Sequence, residues 1–259
     1  MTRPRILVTN DDGVFSEGIE RLAAALSAVG EVFTVAPDQE KSAAGHSLTL
    51  DHPLRAKLIG ENRWSVDGTP TDCVNWGLLH LLKDARPKLL FSGINVGLNL
   101  GDDVTYSGTV SAAFEGTLMG VPSVAISQEI ETGFTFDAAA AFAARFARRL
   151  LEEPLPPGTL VNVNVPAGAP KGVKVVKLGK RRYGEAVIEK IDPRGRPYYW
   201  IGSTPPSGEL QEGTDLSAVA EKYISMTPLH LDLTDYGAIE VLEQIAGALA
   251  AAEASRQPG

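Results

Sequence analysis

Arg5-Ile6-Leu7-Val8-Thr9-Asn10-Asp11-Asp12-Gly13 sets an apolar, β-branched run directly against two adjacent acids and a glycine. Such a run reads as a strand covered on both faces, and its abrupt polar end reads as the carboxyl edge of a sheet. Open α/β sheets hold ligands in the crevice beyond the carboxyl ends of their strands. Two carboxylates side by side repel each other unless a cation or a shared proton offsets them. Asp11 and Asp12 are therefore a candidate site for a hard cation. An Asx turn leading into a helix N-cap is the alternative that the same residues allow.

Outward from this stretch the chain alternates. Strand-like runs fall at 6–9, 32–36, 88–91, 123–126 and 160–165, with helix-like runs at 18–29, 71–82, 110–119 and 136–151 between them. In the first of these helices Ile19, Leu22, Ala23 and Leu26 recur with a period near 3.6. Strands separated by helices of this length imply right-handed crossovers and a parallel sheet. The expected fold class is α/β, with a mostly parallel sheet over residues 1–180. Thr71 and Asp72 are the expected N-cap region after Pro70. From residue 180 the chain turns rich in Pro, Gly and charge (KRRYGEAVIEKIDPRGRPYYWIGSTPPSGELQEG). Two β-like runs, 186–191 and 197–201, flank the turn Asp192-Pro193-Arg194-Gly195 and predict a projecting β-hairpin arm. Residues 181–235 are assigned to this arm, and 236–259 to a C-terminal helix (238–252) docked on the core, with a short tail. Tyr198, Tyr199, Trp200 and Ile201 on such an arm call for a partner subunit to cover them.

Composition narrows the function. The chain has 259 residues, a formal net charge of −8 and a single cysteine, Cys73. That acidity disfavours nucleic acid polymers and acidic membranes as partners. No segment approaches the ~20 apolar residues of a membrane span, and a lone thiol fits a reducing cytoplasm. An acidic protein that handles phosphate needs local compensation, from a cation or from aimed backbone N–H groups.

The polar strand ends supply candidates. Three strand-like runs lead into Asp11-Asp12, into 37–42 and into 92–99, all bearing Asp, Ser or Asn oxygens. An all-oxygen set suits Mg²⁺, Mn²⁺ or Ca²⁺ and argues against zinc. SGINVGLNLGDDVTYSGTVSAAFEG, residues 92–116, packs glycines among Asn, Asp, Ser and Thr before a small-residue helix. Ser107-Gly108-Thr109 stands at that helix start, where N–H groups face an anion. A long polar loop of this kind inside a compact domain points to function.

VTNDDG, APDQEKSAAGHSLTL, DGTPTDCV, the 92–116 stretch and EGTDLSAVAEKYISMTPL together resemble the SurE family, the stationary-phase survival proteins. The resemblance spans nearly the whole chain in the family's order. It implies a Rossmann-like three-layer α/β/α core and a metal-dependent phosphatase acting on nucleoside 5'-monophosphates, with 3'-monophosphates as further candidate substrates. It further implies that Asp11, Asp12, Ser42 and Asn95 coordinate one divalent metal ion per subunit (Mg²⁺ or Mn²⁺, with Ca²⁺ possible). A phosphate pocket would be built from Asn99 and from Ser107, Gly108 and Thr109. The same resemblance implies a homodimer or homotetramer assembled through an extended C-terminal arm.

The residue types point to direct attack of water on phosphorus. Cys73 reads as a core thiol within a helix. The acids after the first strand are adjacent, unlike the Asp-x-Asp of phosphatases with an aspartyl nucleophile, and no G-x-S-x-G elbow is present. Asp11 and Asp12 are the candidate catalytic acids, Asp12 or the ion itself positioning the water, and His46 is the candidate proton donor to the leaving group. His52, His80 and His230 show no ligand spacing. Tyr106, Tyr183, Tyr198 and Trp200 are the aromatics available to a base, although packing accounts for each. Competing readings are another metal-dependent phosphohydrolase (an exopolyphosphatase or a phosphodiesterase) and a non-catalytic nucleotide-binding regulator.

Overall fold

The computed structural model describes residues 3–182, 187–201, 207–208 and 210–254. Among them lie strands β1 (Arg5–Thr9), β2 (Glu31–Pro37), β3 (Ala56–Gly60), β4 (Arg63–Val66), β5 (Leu89–Val96), β6 (Ser123–Gln128) and β7 (Thr159–Val165). They continue as β8 (Val173–Val175), β9 (Arg181–Arg182), β10 (Val187–Ile191), β11 (Pro197–Ile201), β12 (Ser207–Gly208) and β13 (Ile224–His230). The helices are α1 (Glu17–Leu26), α2 (Pro70–Trp76), α3 (Gly108–Leu118), α4 (Asp137–Glu152), α5 (Asp215–Ala220) and α6 (Ile239–Ala254).

One sheet has the strand order β3-β4-β2-β1-β5-β6-β7-β13-β8. β4, β2, β1, β5, β6 and β7 run parallel, while β3, β13 and β8 run the opposite way. The chain leaves β1 for β2 on one side and later takes up β5 on the other, so the strand order reverses at β1. In doubly wound sheets this reversal opens the ligand crevice. Alternation along β1 feeds two core layers. Ile6 and Val8 pack with Ile19, Leu22 and Leu26 of α1 and with Phe142 of α4, whereas Leu7 packs with Val35, Val74 of α2, Leu90 and Ala112 of α3. The helices cover both faces of the parallel strands, which is why residues 6–9 read as an unbroken apolar run.

Several local expectations are corrected. Residues 92–96 continue β5 through a register shift between Ser92 and Asn95, so Asn95 lies on a strand end and not in a loop. The β3–β4 hairpin leaves no pattern in the sequence, because β3 is a mostly exposed edge strand. The cap of α2 is Thr69, with Pro70 in the first turn and Asp72 closing a capping box. Proline suits the first helical position, so the cap precedes it.

The assignment of 181–235 to the arm is too wide. After the arm the chain returns through α5 and lays β13 between β7 and β8. Pro228 hid this strand, since proline disfavours a central strand; it sits beyond Ile224–Met226, the part of β13 paired with β8. The hairpin itself is present as β10 and β11, paired from Val187↔Ile201 to Ile191↔Pro197. Val187, Ile188, Ile191, Tyr198, Tyr199 and Trp200 on it are exposed. Tyr183, residue 186 and the tail 255–259 lie outside the described residues. The terminal helix does not dock on the core as expected. Ile239, Val241, Leu242, Ile245 and Leu249 are all exposed, because α1, α4, α2 and α3 already occupy the faces of the parallel strands.

Candidate active site and metal centre

Asp11 and Asp12 leave β1 at the point where the strand order reverses. Asn10 shapes their turn by donating Nδ2 to the Gly13 carbonyl (3.0 Å) and to Ser16 Oγ (2.8 Å). The neighbouring loop is tied to the turn by Lys41 N–H to the Asp11 carbonyl (2.7 Å) and Val14 N–H to the Pro37 carbonyl (2.8 Å). The side chains of Asp11, Asp12, Ser42, Asn95, Asn99 and Ser107 thereby line one cleft of about 500 Å³. Glu40, Asp103 and Tyr106 also line it. Glu40 was missed by sequence reasoning, although it shares the loop of Ser42, whose Oγ donates to Glu40 Oε1 (2.6 Å).

The electrostatics of the paired acids call for a cation. Asp11 is buried and its carboxyl is pushed up by desolvation, against the lowering effect of hydrogen bonds from the Thr109 hydroxyl and backbone. Burial, followed by the charge of Asp11, pushes Asp12 up to about 7, opposed by a hydrogen bond from the Val96 amide. The further charge felt by both is Glu40, also acidic. Asp12 Oδ2 is buried without a hydrogen-bond partner among the described residues. A buried oxygen in that state is costly unless something binds it. No group of three or more His, Cys, Asp or Glu side chains among the described residues is arranged to hold a metal. A cation here would therefore rely on two acids and the neutral oxygens of Ser42 and Asn95. Asn95 gives its Nδ2 to the Gly97 carbonyl (2.8 Å), which assigns Oδ1 as the oxygen left over. The residues present fit a hard divalent ion.

The helix that starts at Gly108 serves Asp11 first. Thr109 is fully buried and bonds Asp11, and the Val110 amide is taken by Ser107 Oγ (3.1 Å). A Cβ on Gly108 would stand 2.8 Å from Asp11 Cβ and 2.9 Å from its Oδ2. The side chain packed closest to Gly108 is thus that of Asp11. Gly108 and Thr109 do not line the cleft, whereas Ser107 and Asn99 do.

Asn99 is clamped from β7, a feature sequence reasoning missed. Asn164 Oδ1 accepts the Asn99 N–H (2.8 Å), while Nδ2 of Asn164 (3.0 Å) and Nδ2 of Asn162 (2.8 Å) donate to its carbonyl. Ser127 Oγ takes the Asn99 Nδ2 (2.9 Å).

His46 does not line the cleft. Its Nε2 lies 2.7 Å from Glu115 Oε2 on α3, and Asn75 Nδ2 holds the other Glu115 oxygen at 2.7 Å. The hydrogen bond from His46 is the main cause that holds the Glu115 carboxyl below its usual range. Asp72 also anchors this loop, accepting the Thr49 N–H (3.0 Å) and hydroxyl (2.6 Å). Cys73 is wholly buried and desolvation pushes its thiol up, far from reactivity. His52 pairs with Asp51 (2.8 Å), His80 lies tilted against the Trp76 ring, and His230 accepts the Asp232 N–H (3.3 Å).

Fold and site define a Rossmann-like α/β protein whose switch-point crevice is acidic and lined with oxygen donors. The family model described as "Survival protein SurE" matches residues 6–185. The chain belongs to the SurE family. It is 54% identical over 242 residues to the 5'-nucleotidase SurE of Geobacter sulfurreducens, covering 92% of each chain. With the 5'-nucleotidase SurE 1 of Thermus thermophilus it shares 52% identity over 245 residues, 92% of this chain and 96% of the relative. The crystal structure of the SurE protein from Aquifex aeolicus matches with a TM-score of 0.84 and 43% identity, covering 94% of this chain and all of that one.

Proposed function

We propose that this protein is a metal-dependent 5'-nucleotidase that hydrolyses nucleoside monophosphates to nucleoside and inorganic phosphate. The observation that carries the reading is the Asp11–Asp12 pair at the strand reversal, with an unpartnered buried Asp12 oxygen and with Asn99 and Ser107 lining the same cleft. The family relatives named 5'-nucleotidase support the substrate class. Asp11, Asp12, Ser42 and Asn95 would hold one divalent ion, Mg²⁺ or Mn²⁺ with Ca²⁺ as a further fit. When bound, that ion supplies charge neutralisation at the phosphoryl oxygens and acidifies a bound water.

The protein's own groups divide the remaining work. Thr109 holds the Asp11 carboxyl in place through its hydroxyl and backbone N–H. Asp12 positions the attacking water. Asn99 and Ser107, with the helix start at 107–109 behind them, form the phosphate side, where donors aimed at developing charge are worth most. His46, considered as proton donor to the ribose oxygen, sits on Glu115; we assign it to holding the Ser42 loop. The P–O bond to the nucleoside breaks as the water oxygen bonds to phosphorus, and a proton given up by that water ends on the departing ribose oxygen.

Oligomerisation through the hairpin and α6 is part of the same proposal, since their exposed Ile188, Tyr199, Trp200, Leu242 and Ile245 need cover. No helix among the described residues is long and apolar enough to cross a membrane. The lone buried Cys73 fits a cytoplasmic setting. Phosphate release from a panel of 5'- and 3'-nucleoside monophosphates, polyphosphate and a phosphodiester, with and without EDTA, tests the activity. EDTA-sensitive release from monophosphates is expected. Release from polyphosphate or the diester alone, or activity that survives exhaustive chelation, would overturn it.

A further inference from the structure

Asp215 is wholly buried at the first residue of α5 and does not line the cleft. α5 does not need it as a cap, because Thr214 already provides the N-cap and closes a capping box with Ser217. The Asp215 side chain instead reaches out of its helix. Oδ2 accepts the Gly101 N–H (2.8 Å), and Oδ1 accepts the N–H groups of Gly179 (2.7 Å) and of its neighbour Leu216 (2.9 Å).

The two distant partners matter. Gly101 opens the 3-10 turn Gly101–Thr105, which lies between Asn99 and Ser107 in the chain. Gly179 stands just before β9, at the root of the hairpin arm. The two segments are pressed together across Asp215. A Cβ on Gly101, which has φ +55°, would meet the Gly179 carbonyl oxygen at 2.7 Å, and one on Gly179 would meet Leu216 Cδ1 at 2.4 Å. On its other side the turn is fixed by the grip of Asn164 and Asn162 on the Asn99 backbone. The stretch from 99 to 101 is therefore held from β7 at one end and from α5 at the other.

We infer that Asp215 is a positioning residue for the cleft: it fixes the turn that delivers Asn99 and Ser107 and locks that turn to the root of the arm. Its action on substrate rests on the phosphate-side reading of Asn99 and Ser107. Its action on the backbone rests on the hydrogen bonds alone.

Asp215→Ala and Asp215→Asn in the full chain test this by hydrogen exchange, Mn²⁺ calorimetry and steady-state phosphate release. In the alanine variant, amide exchange in 98–107 and in 177–180 should rise together by about tenfold, the scale of a lost hydrogen bond to a buried acid. Exchange in 5–12 and Mn²⁺ affinity should stay near wild type. KM for a nucleoside monophosphate should rise by about tenfold with a smaller change in kcat. Asparagine keeps an oxygen acceptor and should restore part of each effect. Unchanged exchange in 98–107, or loosening confined to 177–180, would overturn the inference. If the alanine variant does not fold, the asparagine variant decides by the same comparison. Wild type that releases no phosphate would defeat the proposed activity and leave the exchange result to judge Asp215 by itself.

Discussion

Asp11 and Asp12 are sequence neighbours with different surroundings. Asp11 is held by Thr109 and fills the space that a side chain on Gly108 would need, while Asp12 keeps one buried oxygen without a partner. Asp11→Asn should lower kcat by ~10²–10³, the usual worth of one electrostatic group in a transition state, while the melting temperature of the metal-free protein holds or rises. Near-normal turnover at saturating metal would reassign Asp11 to shaping the turn. Gly108→Ala should weaken Mn²⁺ binding as well as turnover, since the new methyl group meets the Asp11 carboxyl. Calorimetry decides this; unchanged Mn²⁺ affinity with weakened phosphate binding would mean that the glycine serves the substrate after all.

At the scale of elements, the loop after β2 carries Ser42 and is pinned to α3 through His46 and Glu115 and to α2 through Thr49 and Asp72. Glu115 is mostly buried, and its carboxyl lies below the ordinary 4.5, chiefly through the His46 hydrogen bond. A carboxyl depressed on folding contributes stability that is present above its unfolded value and lost as pH falls through the folded one. Wild type should therefore lose melting temperature on acidification below about pH 4.5 more steeply than Glu115→Gln. Parallel melting curves for the two proteins would show that this tether does not titrate in that range.

For the whole molecule, the question is what covers the arm and the terminal helix. Both present rows of exposed apolar side chains on a chain whose parallel core is already closed on both faces. Light scattering of the purified protein should give a dimer or larger, and deletion of 191–197 or truncation after residue 235 should lower the assembly state. A single species at the chain mass of 27.5 kDa, at micromolar concentration, would refute this. Added divalent cation should also raise the melting temperature, since an ion held at the folded site would relieve the repulsion between the paired acids. EDTA should reverse the shift, and a melting curve indifferent to both additions would argue against the metal site.

The parallel α/β core is legible in the linear pattern of residues. Periodicity and unbroken apolar strands are local signals that survive because both faces of the sheet are covered, and β1, β2, β6 and β7 fall where the pattern puts them. The same pattern marks the Asp11–Asp12 turn, since two adjacent acids at a strand end are visible without any fold. Contacts across long sequence separations emerge only once the chain is folded. Asp11 meets Thr109, His46 meets Glu115, Asn99 meets Asn164 and Gly101 meets Asp215. None of these partners announces itself in a linear pattern, because each is selected by strand order and helix placement. The same holds for β13, where Pro228 masks the strand and pairing with β7 restores it, and for α6, whose apolar composition predicted docking until the rest of the chain had filled the available faces.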